Sequence, residues 1–125
     1  MCGIVGFQLF KNKNKEPKFI INRLVNELKH RGPDLRGEWE SIDDKLYLGH
    51  TRLSIIDLSE EGKQPMHSLN GRYVIVFNGE IYNYKKLMKQ LNQDFSYNLQ
   101  KVSDTRVLLE CISSYGLNKT IQIIN

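Results

Sequence analysis

The sequence predicts an α+β fold, with elements in the order strand, helix, several strands, helix, helix. Three observations predict it. A short apolar, β-rich run occupies residues 3–10 (GIVGFQLF), a helical apolar period follows over residues 19–30, and two further helical stretches lie beyond the run YVIVF at residues 73–77. The chain has 125 residues, 40% hydrophobic and 26% charged, the balance of an ordinary globular domain. That length suggests one domain, residues 1–125, able to bury a sizeable core.

Taken in order, residues 3–10 read as a buried strand. The stretch after it, with Lys11, Lys13, Lys15 and Lys18 among Asn12, Asn14, Glu16 and Pro17, reads as a solvated loop. Ile20, Ile21, Leu24, Val25 and Leu28 then recur at one-turn spacing, which predicts an amphipathic helix over residues 19–30. Arg31-Gly32-Pro33-Asp34 ends it, because proline cannot continue the hydrogen-bond ladder and glycine supports the exit. Strands are predicted over residues 37–41, 47–56 and 73–77, the last two separated by the loop residues 59–66 (SEEGKQPM). A second helix is expected to start with Asn83 as N-cap and to bury Leu87, Met88 and Leu91. A third runs from Ser103 through Val107, Leu108, Cys111 and Ile112 to Tyr115, with Gly116 as its stop. No internal repeat, low-complexity tract or linker interrupts the series.

Charge and cysteine content exclude several classes. With 18 Lys+Arg against 14 Asp+Glu the formal charge is +4, and the isoelectric point is about 9.1. Lys85, Lys86 and Lys89 fall on a predicted helix as a solvated face, and no nucleic-acid motif accompanies them, so no nucleic-acid partner is expected. No apolar run approaches the roughly 20 residues of a membrane span. The amino terminus lacks the charged, apolar pattern of a leader. Two cysteines, Cys2 and Cys111, are too few for a disulfide framework. Free thiols in a reducing cytoplasm are expected, with a single Cys2–Cys111 bridge as the alternative. His30, His50 and His67 are widely spaced, with no HExxH or paired CxxC, so no metal site is expected. Lys119-Thr120 lacks the preceding glycines of a phosphate loop.

Cys2 is the sharpest chemical feature. A lone cysteine is ordinarily a small buried hydrophobe. Position changes this: removal of Met1 would leave Cys2 with both a thiol and a free α-amine. Their ordinary pKa values, about 8.5 and about 7.7–8.0, are nearly matched, so the amine can serve as base for the thiol on the same residue. Asn78-Gly79 has two readings. Behind a β run it is first a hairpin turn signal; the functional alternative is a side-chain amide and an accessible backbone N–H able to hold an oxyanion. Arg52 is either a solvated strand charge or a bidentate carboxylate anchor. Asp104 either complements a helix N-terminus or partners an ammonium group, and Glu80 is ambiguous in the same way.

These residues sit in an ordered series of motifs. MCGIVGF at the start, HRGPD at 30–34, GHTRLSIIDLS at 49–59, QPM at 64–66, FNGEIYNY at 77–84 and SDTRVLL at 103–109 resemble the class II glutamine amidotransferase domain. The nearest likeness is to the amino-terminal domain of glutamine-hydrolysing asparagine synthetases. The resemblance implies the four-layer αββα sandwich of the N-terminal nucleophile hydrolases. It also implies hydrolysis of L-glutamine to glutamate and ammonia through a thioester on Cys2, with Asn78 and Gly79 as oxyanion hole. Arg52 would bind the substrate α-carboxylate, Glu80 and Asp104 its α-ammonium, and backbone around Leu53 and Ile55 would line the pocket. No cofactor is implied for this step. ATP and Mg are expected only for a synthetase domain, in the same parent chain or in trans, which would consume the ammonia. Family members carry a further strand motif of the form G-x-F-A-F where this chain reads Ile123-Ile124-Asn125. The resemblance therefore implies a domain truncated at its carboxyl end, without its synthetase domain. A non-catalytic binding module of the same fold is the alternative.

Overall fold

In the computed structural model the described residues are 2–10, 16–41, 43, 45–53 and 62–125. They form an α+β arrangement of two small antiparallel sheets and four helices. The chain divides into two compact units, Met1–Pro65 with Val76–Asn78, and Met66–Ile75 with Gly79–Asn125.

The first unit holds β1 (Gly3–Gln8), α1 (Pro17–Glu27), β2 (Leu35–Glu40) and β3 (Leu46–Arg52). Its antiparallel sheet has the order β1-β3-β2, with Gly3 opposite Thr51, Val5 opposite Gly49 and Phe7 opposite Tyr47. Strand alternation puts Tyr47, Gly49 and Thr51 on one face, and α1 lies on that face. Ile21 and Val25, one turn apart, bury with Tyr47 against Val5, Phe7 and Leu9, and the Phe7 and Tyr47 rings stack with centroids 4.8 Å apart. Burying each aliphatic side chain contributes about 1.5–3 kcal/mol. The helix approaches so closely that a Cβ at Gly49 would stand 2.3 Å from Cγ2 of Val25. Glycine there lets the helix rest on the strand.

The predicted first helix is present with shifted ends. It starts at Pro17, because proline at the first helical position gives up no hydrogen bond. It stops at Glu27, where the chain turns and Oγ1 of Thr51 donates to the Leu28 carbonyl. Leu24 is exposed, so the buried stripe is narrower than the sequence period suggests. Lys18 pairs with Glu40 at 2.6 Å on the surface, while Lys11, Lys13 and Lys15 lie outside the described residues.

The second unit holds β4 (Met66–His67), β5 (Val74–Ile75), α2 (Tyr84–Phe95), α3 (Asp104–Tyr115) and α4 (Leu117–Ile123). Leu87 and Leu91 of α2 and Val107, Leu108, Leu109 and Cys111 of α3 supply its buried core. Ser103 caps α3 by accepting the Arg106 N–H at 3.2 Å, and Gly116, with φ of 83°, ends it. Glu110 is fully buried and accepts from Nη1 of Arg106 at 3.0 Å and from the Leu69 N–H at 2.9 Å, tying the β4–β5 hairpin to α3.

Three expectations are corrected here. Only Val74 and Ile75 of the run YVIVF form a ladder, each paired to the short β4. Asn83 stands at the N-cap of α2 but makes no capping bond. Its side chain instead donates to the Ile123 carbonyl at 2.7 Å and accepts from the Asn125 N–H at 3.1 Å. Those contacts hold Ile123, the last residue of α4, and Asn125 beyond it; α4 is a helix that the sequence pattern did not predict, and its apolar Leu117 and Ile121 are exposed. Lys85, Lys86 and Lys89 are exposed on α2, as expected. Among the described residues no helix is long and apolar enough to cross a membrane.

Candidate active site

Cys2 precedes β1 and is half-buried. Its backbone nitrogen donates to Oδ1 of Asn78 at 3.2 Å, across 76 positions of sequence. Its carbonyl accepts from Nε of Arg31, also at 3.2 Å. The Arg31-Gly32 turn is seated against the end of β3, since a Cβ at Gly32 would fall 2.5 Å from the Thr51 carbonyl carbon. Gly3 is opposite Thr51, so continuing that register by one residue places Cys2 across from Arg52. The first unit thereby gathers Cys2, Arg31, Arg52 and Asn78 at one end of its sheet.

The segment carrying Asn78 is held from behind. Gln64 is buried, and its Oε1 accepts the Phe77 N–H. Oδ1 of Asn78 faces the nitrogen of Cys2, so Nδ2 is the donor end of that amide and is directed elsewhere. The hairpin reading of Asn78-Gly79 does not hold. A type I′ turn needs positive φ at both central residues, and among the described residues the glycines with positive φ are Gly71 and Gly116.

His50 lies within β3, fully buried, and Nε2 has no hydrogen-bond partner among the described residues. Burial holds its pKa below the ordinary histidine value; a hydrogen bond to the Phe77 backbone opposes this, and the Arg52 charge adds to it. The imidazole is therefore neutral at physiological pH. Arg31, His50 and Gln64 were not singled out by sequence reasoning. Each lies inside a motif quoted above, which was the available signal.

The second unit is described by itself. Gly79 and Glu80 are exposed and Asp104 is half-buried. Asp104 is the first residue of α3; its Oδ2 accepts the Ile81 N–H at 3.0 Å and its Oδ1 the Thr105 N–H at 2.7 Å. Its carboxylate thus complements the helix terminus and also holds the segment following Gly79-Glu80. Leu53 follows β3 and is half-buried, whereas Ile55 lies outside the described residues. Cys111 is buried, and both cysteines are free thiols. Burial, reinforced by the Glu110 charge, pushes the Cys111 thiol up to about 11. Among the described residues no three His, Cys, Asp or Glu side chains form a metal-binding group.

Comparison with known proteins gives a consistent set of likenesses. The profile of the glutamine amidotransferase domain matches residues 1–125. An amidase of Gibberella zeae, Amidase chry2, is 38% identical over 127 residues, covering 94% of this chain and 19% of its own length. A glutamine-hydrolyzing asparagine synthetase of Bacillus subtilis, asparagine synthetase 1, is 39% identical over 119 residues, covering 92% of this chain and 18% of its own length. One from Arabidopsis thaliana is 32% identical over 118 residues, covering 94% and 19%. The chain thus spans about a fifth of the length of these relatives.

Proposed function

The chain belongs to the glutamine amidotransferase domain family, and on that premise we propose that it performs a glutaminase half-reaction through Cys2. Removal of Met1 frees the Cys2 α-amine, which takes the thiol proton as Sγ attacks the side-chain amide carbon of L-glutamine. The carbonyl electrons move onto oxygen, and the tetrahedral oxyanion is held by Nδ2 of Asn78 and the backbone N–H of Gly79. The C–N bond then breaks, with the proton returned to the departing ammonia, leaving a glutamyl thioester on Cys2. Water, deprotonated by the same amine, hydrolyses the thioester to glutamate and restores the thiol.

Arg52 binds the substrate α-carboxylate in a bidentate fashion, and Glu80 and Asp104 take the α-ammonium. Backbone around Leu53 and Ile55 completes the pocket. Recognition of both the α-carboxylate and the α-ammonium selects a free amino acid over a ligand lacking either charge. The step needs no cofactor. We place the domain in the N-terminal nucleophile hydrolase sandwich class, acting in the cytoplasm beside an ATP- and Mg-dependent synthetase region that accepts the ammonia.

The observation carrying this reading is the 3.2 Å bond from the Cys2 nitrogen to Asn78 Oδ1. It joins the nitrogen that becomes the base to the residue that offers the oxyanion donor. Ammonia release from L-glutamine tests it. Cys2→Ala protein should release none above background. Turnover retained in that variant overturns the proposal, and an absence of turnover in wild type as well favours a binding module of the same fold.

A further inference from the structure

Gly62 is buried, and the group nearest to the place of its missing side chain is the Arg52 guanidinium. An added Cβ would stand 2.4 Å from Cζ of Arg52, 2.5 Å from Nη2 and 2.6 Å from Nη1. Those three nearest atoms are the guanidinium itself, which therefore lies flat over the Gly62 backbone. Carbon atoms in ordinary contact sit about 3.5–4.0 Å apart, so a methyl here drives the guanidinium back by about 1 Å. The displaced group is the far end of a flexible side chain, so the backbone is not forced to move. The sequence signal was slight, since Gly62 sits in a stretch read only as a loop.

We propose that Gly62 is a positioning residue that fixes the Arg52 guanidinium for recognition of the substrate α-carboxylate, and so sets selectivity for amino-acid amides over simple amides. This rests on the role given to Arg52 above. A bidentate guanidinium–carboxylate pair depends on a planar fork in one plane and at one distance, and a shift of about 1 Å suffices to spoil such an alignment. Gly62 touches no substrate. It acts through Arg52.

The test compares L-glutamine with γ-aminobutyramide, the same molecule without its α-carboxylate, in wild type, Gly62→Ala, Arg52→Ala, Arg52→Lys and the Arg52→Lys, Gly62→Ala double variant. In Gly62→Ala, KM for L-glutamine should rise about tenfold, the loss expected for a weakened charged hydrogen bond, with kcat within about twofold. Preference for L-glutamine over γ-aminobutyramide should fall by the same factor, which a general loss of stability does not produce. Arg52→Ala should abolish the preference. If Arg52→Ala leaves it intact, the reading of Arg52 fails. If Arg52→Ala abolishes it and Gly62→Ala leaves it unchanged, the Gly62 proposal fails alone. The Arg52→Lys background has no guanidinium to displace, so Gly62→Ala should there add nothing to the loss. Should Gly62→Ala not fold, the double variant still decides. A double variant that also fails to fold, or that loses a further tenfold, means the methyl meets something other than the guanidinium, and overturns the proposal.

Discussion

The nitrogen of Cys2 and Oδ1 of Asn78 are 3.2 Å apart, although 76 positions separate the two residues. The amide of Asn78 is thereby oriented by the residue whose chemistry it is proposed to assist. Replacing Asn78 with Ala removes one oxyanion donor, and kcat for ammonia release should drop roughly 10²–10³-fold. KM for L-glutamine should change little, because that donor acts on the developing oxyanion. Steady-state kinetics on the two proteins check this.

Gln64 shows how much of the site could be read from sequence. The motif QPM was visible, but nothing in its composition says that the Gln64 side chain accepts the Phe77 N–H just before Asn78. That contact joins residues 13 positions apart and depends on where the chain has already folded. The same holds for Arg31, whose bond to the Cys2 carbonyl spans 29 positions. Local patterns were more legible. The Ile21–Val25 stripe, the Ser103 cap and the Gly116 stop follow from spacing and residue type within one or two turns. Asn83 marks the limit of that reasoning: its position at a helix start was legible, and its choice of partners at Ile123 and Asn125 was not.

His50 should give the protein an acid-sensitive limb. Its folded pKa is depressed by burial, so the unfolded chain binds a proton at this residue more readily than the folded one. The contribution to stability is complete above the ordinary value of about 6.5 and is lost as pH falls through that value toward the folded pKa. Urea midpoints measured from pH 7.5 down to 5 should therefore decline in wild type, and decline less steeply in His50→Gln. These pH values lie about one unit above and about one and a half units below the ordinary histidine pKa.

The two thiols should differ sharply toward alkylating reagents. Cys111 is buried, with its thiol pushed up to about 11, so at pH about 8 it is almost wholly protonated as well as inaccessible. Cys2 is half-buried. Intact-mass measurement after iodoacetamide treatment of the folded protein should show one adduct, mapped to Cys2, and a second only after denaturation.

Gly49→Ala probes the contact between α1 and the sheet. The new methyl would meet Cγ2 of Val25 at 2.3 Å and Cγ1 of Val5 at 2.9 Å. Overpacking of this kind costs about 1–3 kcal/mol. A lower urea midpoint with an unchanged slope is the expected result.

In the proposed reaction Cys2 works as an amino-terminal residue, with its own α-amine as base. The direct measurement is ammonia release from L-glutamine by two preparations whose amino termini are fixed by intact mass, one beginning at Cys2 and one retaining Met1. Turnover is expected in the first and background in the second, because an amide nitrogen cannot accept the thiol proton. Equal turnover in both would contradict it.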